Sequence, residues 1–304
     1  MARTTRLKQL IARGELDFLM EAHDGLSARI AQEAGFSGLW ASGLSIAAVL
    51  GFRDCNEATY TEVLQIVEYM ADATDIPILM DGDSVFGNFN TVRRLVRKLE
   101  SRGIAGVCLE DKRFPKTNSF VDRSQQLVDI DEFCGKIQAA TDSQNDPDFV
   151  VVARCEAFIS GLGLDEALRR SEAYRRAGAD ALLIHSAKPD AEEILTFMRE
   201  WGSRLPVVIA PTKYCRTPTK AFRDAGISVA IWANHLMRSA LSAMQRTARQ
   251  LFAEESLVGI EPDIAPLSEV FRLQDEAELT EAEARYLPAE SPRIPDSFPV
   301  QTPV

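Results

Sequence analysis

Two aspartates, Asp81 and Asp83, flank Gly82 at the end of the apolar run Ile76-Pro77-Ile78-Leu79-Met80. Along an extended backbone, residues two apart point to the same side. Carboxylates held together repel unless a cation lies between them, and hard oxygen ligands suit Mg²⁺. The same residues also read as an ordinary Asp-Gly turn with one solvated acid and one capping acid. The ends of the other apolar runs bear on that choice. Ser42 closes Leu39-Trp40-Ala41, Glu110 closes Val107-Cys108-Leu109, and Arg154 with Glu156 follows Val150-Val151-Val152-Ala153. His185 ends Ala181 to Ile184, Thr212 follows Val207 to Ala210, and Asn234 follows Val229 to Trp232. Taken singly, each has a plain explanation: an arginine pairing an acid at a strand end, an imidazole bonded to a backbone carbonyl. Gathered at one edge, three carboxylates beside an arginine suit a Mg²⁺ and anion site. Beyond Glu110, the loop Lys112-Arg113-Phe114-Pro115-Lys116-Thr117-Asn118-Ser119 carries cations and amide and hydroxyl donors of the sort that close over a phosphoryl group. Taken alone, that run reads as a solvated basic loop.

Such a gathering needs strands that all run one way. Counting from Phe18-Leu19-Met20, the sequence predicts eight short apolar strands with a helix between each and the next: Ser27 to Glu33, Thr61 to Ala73, Phe89 to Gly103, Asp131 to Thr141, Leu164 to Ala177, Ala191 to Trp201 and Thr217 to Ala225. A long helix from His235 to about Glu255 follows the eighth strand, then two further amphipathic patterns beyond Val258. No Gly-rich dinucleotide turn follows the first strand, so the rhythm favours a (β/α)8 TIM barrel over an open doubly wound sheet. The expected organisation is one barrel domain with its C-terminal helices over residues 1–290 and a Pro-rich, disordered tail over 291–304.

Composition excludes other classes. The 304 residues are 46% hydrophobic and 26% charged, enough for a large core, and the net charge of −11 argues against nucleic acid or an anionic membrane as partner. No apolar run is long enough to span a bilayer, and Met1 to Arg6 contain no signal-like segment, so a cytoplasmic protein is expected. The five cysteines are widely spaced and lack CxxC patterns, which indicates reduced thiols.

The motifs as an ordered set resemble the phosphoenolpyruvate mutase family of the isocitrate lyase and phosphoenolpyruvate mutase superfamily. They are Trp40-Ala41-Ser42-Gly43-Leu44-Ser45, Arg53-Asp54, Asp81-Gly82-Asp83 with Gly87-Asn88-Phe89-Asn90, Glu110-Asp111-Lys112 with Phe114 to Ser119, Val152-Ala153-Arg154 with Glu156-Ala157, His185-Ser186, Pro211 to Tyr214, and Ile231 to His235. The likeness runs from about Leu16 to Leu287. It implies Mg²⁺, or Mn²⁺ in its place, held largely through water by Asp81, Asp83 and Glu110, with a small-molecule substrate chelated to it. It implies a substrate site at Trp40, Ser42, Gly43, Leu44 and Ser119, where Ser42 and the N–H groups of Gly43 and Leu44 grip the carboxylate. Arg154 and His185 would bind the phosphoryl side, Lys116 and Asn118 would arrive on a mobile loop, and Asp54 would lie beside the path of transfer. The implied reaction interconverts phosphoenolpyruvate and phosphonopyruvate. The implied assembly is a homotetramer or dimer in which the helix after the eighth strand is exchanged between subunits.

Lyases of the superfamily carry a Lys-Lys-Cys-Gly-His loop, whereas Lys116 to Ser119 read Lys-Thr-Asn-Ser, which disfavours carbon–carbon cleavage. Phosphonopyruvate hydrolase is the nearer alternative; it typically lacks the loop asparagine present here as Asn118. A non-catalytic barrel is the other alternative, because Ser84-Val85-Phe86 stands where the family usually has Thr-Gly-Tyr or Thr-Gly-Phe. A β-branched Val85 is costly if that turn needs positive φ.

Overall fold

The computed structural model describes residues 1–120 and 126–288. The expected disorder of 291–304 falls outside that range. Eight parallel strands close into a barrel in chain order. They are β1 (Asp17–Ala22), β2 (Leu39–Ala41), β3 (Ile78–Asp81), β4 (Gly106–Glu110), β5 (Val150–Cys155), β6 (Ala181–Ile184), β7 (Val207–Ile209) and β8 (Val229–Trp232). Closure is made by β1 on β8, with Asp17 opposite Val229 and Met20 opposite Trp232. The helices are α1 (Arg3–Ala12), α2 (Gly25–Glu33), α3 (Gly43–Leu50), α4 (Tyr60–Ala73), α5 (Phe89–Glu100), α6 (Ile130–Thr141), α7 (Gly163–Arg176), α8 (Glu192–Trp201), α9 (Thr219–Asp224), α10 (His235–Glu254), α11 (Leu267–Leu273) and α12 (Glu276–Tyr286). Two compact units result, Met1–Ser242 with the barrel and Ala243–Val304 with most of α10, α11 and α12.

The alternation of the strands separates two cores. Outward residues such as Val107, Leu109, Val151 and Ala153 pack with the helices, including α5, whose buried positions Val92, Leu95, Val96 and Leu99 recur at helical spacing. Inward residues Leu19, Trp40, Leu79, Cys108, Val150, Val152, Leu183, Val208, Val229 and Ile231 fill the barrel. Leu7, Leu10 and Ile11 of α1 join that inner cluster and seal one end. Neither α1 nor α3 is among the helices the sequence predicts. Both are short, and α1 has no side-chain cap to announce its start.

Two residues beyond the inward position of each strand lies the opposite mouth: Ser42 after Trp40, Asp81 after Leu79, Glu110 after Cys108, Arg154 after Val152 and His185 after Leu183. The period of two that fills the barrel with apolar side chains therefore delivers polar ones to its rim.

Candidate active site

Asp81 is the last residue of β3, and the chain turns immediately after it. Asp83 N–H donates to Asp81 Oδ1 (3.3 Å), and the Glu110 N–H donates to the Asp83 carbonyl (2.9 Å), so the ends of β3 and β4 are laced together. Gly82 must be glycine: a Cβ there would lie 2.8 Å from Val107 Cγ2 and 2.9 Å from the Cys108 carbonyl. Gly43 is tight but less so, since a Cβ there would stand 3.1 Å from Asp83 Oδ1 and 3.3 Å from Asp81 Oδ2, side-chain atoms that would have to give slightly. The Gly43 N–H itself donates to Asp81 Oδ2 (3.3 Å). Ser42 caps α3 by accepting from the Ser45 N–H (3.3 Å).

All three acids are buried, Asp81 and Asp83 at 6% exposure and Glu110 at 2%. Burial pushes the carboxyls of Asp81 and Asp83 up, Asp83 to about 8, against the pull of Lys116 and with further upward push from neighbouring acids. Neither Glu110 oxygen has a hydrogen-bond partner among the described residues; its nearest cations are Arg154 Nε at 3.5 Å and Lys112 Nζ at 3.8 Å. Among the described residues, no three His, Cys, Asp or Glu side chains form a set for direct ligation. A buried acid with two orphaned oxygens beside two acids that burial makes reluctant to ionise nonetheless fits a hydrated divalent ion, whose own waters reach between them.

The loop after β4 folds back over these acids. Lys116 Nζ contacts Asp83 Oδ1 and Asp54 Oδ1, the latter at 2.8 Å. Burial alone would lower the Lys116 pKa, but Asp83, Glu110, Asp54 and Asp81 outweigh it and hold the ammonium well above its ordinary range. Asn118 Nδ2 donates to Asp54 Oδ2 (2.5 Å). Burial raises the Asp54 carboxyl, and Lys116 and Asn118 together more than reverse that, so it lies below the usual range. Ser119 Oγ donates to Glu156 Oε2 (3.1 Å) and accepts from Arg154 NH2 (3.1 Å) and Lys112 Nζ.

Glu156 joins the far side of the site. It takes Arg154 Nε on Oε1, lies 2.9 Å from His185 Nδ1 and 3.4 Å from Lys112 Nζ, and is completely buried. Burial would raise its carboxyl; Arg154, Lys112 and His185 reverse this and hold it well below the ordinary range. Its backbone N–H donates to Asp111 Oδ1 (2.9 Å), and Asp111 is in turn held by Arg170 and by Tyr174 Oη (2.6 Å). Burial pushes the His185 imidazole down despite the opposing pull of Glu156; its Nδ1 is also 2.9 Å from Arg154 Nη2. The Phe120 ring meets His185 edge-on at 5.4 Å, and Lys213 Nζ lies 4.6 Å from the centre of the same ring.

These groups surround a cavity of about 60 Å³. Trp40, Ser42, Leu44, Asp54, Asp81, Lys116, Asn118, Ser119, Arg154 and His185 line it, with Thr212 and Asn234, while Gly43, Asp83 and Glu110 touch the lining residues Asp81, Lys116 and Arg154 respectively. Every site residue expected from the sequence thus falls at one mouth. The sequence placed Glu156 at this edge without a role, and Lys112 only as one of the cations of a loop that could close over a phosphoryl group; their signal was adjacency to Arg154 and Glu110. Asn56, which bonds Asp83 and the loop, was missed altogether.

The chain is similar over nearly its whole length to known proteins. The family model described as phosphoenolpyruvate phosphomutase matches residues 7–252. A phosphoenolpyruvate phosphomutase of Tetrahymena pyriformis is 57% identical over 94% of this chain and 95% of its own. The crystal structure of a phosphoenolpyruvate phosphomutase from Streptomyces platensis subsp. rosaceus superposes with a TM-score of 0.92 at 43% identity, covering 94% of this chain and 99% of that one. A phosphonopyruvate hydrolase in complex with oxalate and Mg²⁺ follows at a TM-score of 0.90 and 36% identity, covering 95% and 100%.

Proposed function

The chain belongs to the phosphoenolpyruvate phosphomutase family, and on that premise we propose that it is an isomerase interconverting phosphonopyruvate and phosphoenolpyruvate at the mouth just described. The C3–P bond of phosphonopyruvate breaks, its electron pair passes into the enolate of pyruvate, and the enolate oxygen takes the phosphoryl group. Nothing is lost or consumed.

The transition state is loose and metaphosphate-like, so it needs donors around the phosphoryl oxygens and no water in reach. Arg154, held flat between Glu156 and Ser119, supplies its guanidinium to those oxygens. His185 lines the same cavity, its ring held by Arg154 Nη2 and Glu156 Oε1, each 2.9 Å from Nδ1. Trp40, Ser42, Gly43 and Leu44 bound the carboxylate end, and Ser119 the phosphoryl end. Asp81, Asp83 and Glu110 would hold Mg²⁺ or Mn²⁺, which supplies positive charge to the enolate oxygen and carboxylate. Asp54 has one oxygen on Lys116 and the other on Asn118, and a carboxylate so engaged orients the loop rather than attacking phosphorus. A cavity of about 60 Å³ has room for roughly two waters, so substrate enters with the loop lifted and reacts with it seated.

The observation that carries this reading over hydrolysis is the contact of Asn118 with Asp54, which spends an acid beside the transfer path on closing the site. Incubation of phosphonopyruvate with Mg²⁺ followed by phosphorus NMR tests it. Phosphoenolpyruvate is the expected product; phosphate and pyruvate would mean a hydrolase, and unreacted substrate with metal present a non-catalytic barrel.

Homo-oligomers, dimer or tetramer, are supported by apolar side chains exposed in the second unit, among them Met244, Phe252 (89% exposed) and Val258. Exchange of α10 between subunits is part of that proposal, although Leu236 at its start packs on the barrel's outer core. The single domain over 1–290 is proposed for that assembly. No helix of the described residues is long and apolar enough to cross a membrane, and five free cysteines support a cytoplasmic setting.

A further inference from the structure

Asn56 lies in the loop between α3 and α4, two residues after Asp54, with a left-handed backbone (φ 58°). Its amide is bonded on both sides. Oδ1 accepts from the Lys116 backbone N–H (2.7 Å) and from Ser84 Oγ (3.1 Å), while Nδ2 donates to Asp83 Oδ2 (3.2 Å). Three segments distant in sequence therefore meet on one side chain: the α3–α4 loop, the turn after β3, and the loop that carries Lys116.

The turn it holds needs outside support. Asp83, Val85 and Phe86 are all left-handed (φ 50°, 63° and 53°), and Val85 is fully buried. Each such residue is strained, most of all the β-branched one, so the turn would relax if its bonds were lost. Asp83 meanwhile has Oδ1 on the Lys116 ammonium and Oδ2 on Asn56. Both anchors of that carboxylate thus trace to the seated loop, one directly and one through the amide.

We propose that Asn56 is a positioning residue coupling the seating of residues 112–120 to the orientation of the Asp83 carboxylate. With the loop seated, the Lys116 N–H fixes the amide plane and aims Nδ2 at Asp83. With the loop lifted, that restraint goes and the strained turn carries Asp83 out of its closed orientation. The acids toward the metal are then complete only when the loop has excluded water, so phosphoryl transfer does not begin in an open site. An asparagine suits the place because its amide accepts and donates at once and tolerates the left-handed region. The inference rests on the metal-dependent reading above.

Asn56→Gly removes the amide while keeping the backbone at ease. The test measures Mn²⁺ affinity without substrate, by calorimetry, and amide exchange over residues 112–120, in wild type, Asn56→Gly, Asn118→Ala and the double variant. Asn118→Ala removes one of the loop's two bonds to Asp54 without touching Asn56. Asn56→Gly is expected to weaken Mn²⁺ binding roughly 10- to 100-fold, the usual loss for an outer partner of a metal ligand, and to speed exchange over 112–120. Asn118→Ala should also weaken Mn²⁺ binding, and the double variant should bind no worse than Asn56→Gly alone. Unchanged affinity in Asn56→Gly, or a double-variant loss equal to the product of the single losses, overturns the coupling. Asn56→Asp keeps both accepting bonds, so its exchange over 112–120 should match wild type; exchange as fast as in Asn56→Gly overturns the role of Oδ1. A wild-type chain that binds no Mn²⁺ defeats the metal reading, and Asn56 is then judged on loop exchange: it stands if Asn56→Gly opens 112–120 and falls if it does not.

Discussion

The two ends of one barrel are built from the same eight strands and obey opposite rules. At one end Leu7, Leu10 and Ile11 of α1 join Leu79, Ala105 and Val150 in one cluster, a largely apolar floor. At the other, Asp81, Asp83, Glu110, Lys112, Lys116, Glu156 and His185 are buried with their charges or ring nitrogens, and Arg154 is among them. Burial drives the floor, since removing apolar area from water is favourable. At the mouth the same burial opposes folding, and it is offset only where charges pair. The floor is therefore free to be optimised for stability, while the mouth keeps strained and expensive groups in readiness for a ligand.

Substitutions at the two ends should separate activity from stability. Arg154→Met is expected to lower kcat by about 10²- to 10³-fold, the usual loss for one transition-state donor, read by the phosphorus NMR assay. Leu7→Ala should cost about 2–5 kcal/mol in denaturant unfolding and leave turnover per folded molecule unchanged. If Leu7→Ala altered turnover, or Arg154→Met left it intact, the division between the ends would not hold.

Val85 tests whether the mouth stores strain. At an ordinary buried site Val→Gly is worse than Val→Ala, because glycine adds about 0.5–1 kcal/mol of unfolded-state freedom. Val85 is buried but left-handed (φ 63°), and glycine there relieves about 1–2 kcal/mol that alanine retains. Val85→Gly should accordingly be at least as stable as Val85→Ala. A glycine variant less stable than the alanine variant by about 1 kcal/mol would show that the turn is unstrained.

The smallest expected effect is of metal on melting. Burial raises the Asp83 carboxyl to about 8, so the folded, metal-free site favours its neutral form more than the unfolded chain does. Its contribution is complete below the ordinary carboxylate range and is lost as pH rises through about 8. A cation that favours the ionised acids opposes that loss. Mg²⁺ should therefore raise Tm by a few degrees, ~2–4 °C per kcal/mol, above that pH and less below it. A shift as large on the acid side would place the ion elsewhere.

Much of this was legible in the chain. Each strand announced itself as an apolar run closed by a polar residue, and the acids, Arg154 and His185 were read as neighbours because they end such runs. The helix α1 was not legible: Leu7, Leu10 and Ile11 form a narrow apolar stripe among charged residues, and it is buried only because an open barrel end exists to receive it. The helix α3 was hidden for a related reason, since its residues, Gly43 to Leu50, continue the apolar character of β2. The bonds of Asn56 and the ring contact of Phe120 with His185 join segments that share no sequence pattern.

What the sequence determined by itself is which side chains share a face, because a strand's period of two is fixed by its backbone: Leu79 with Asp81, Cys108 with Glu110, Val152 with Arg154. It did not determine which face looks inward. That was decided when β1 met β8 and closed the barrel, a pairing of residues more than two hundred positions apart, and only then did one set of faces become an interior with an apolar floor and a charged mouth.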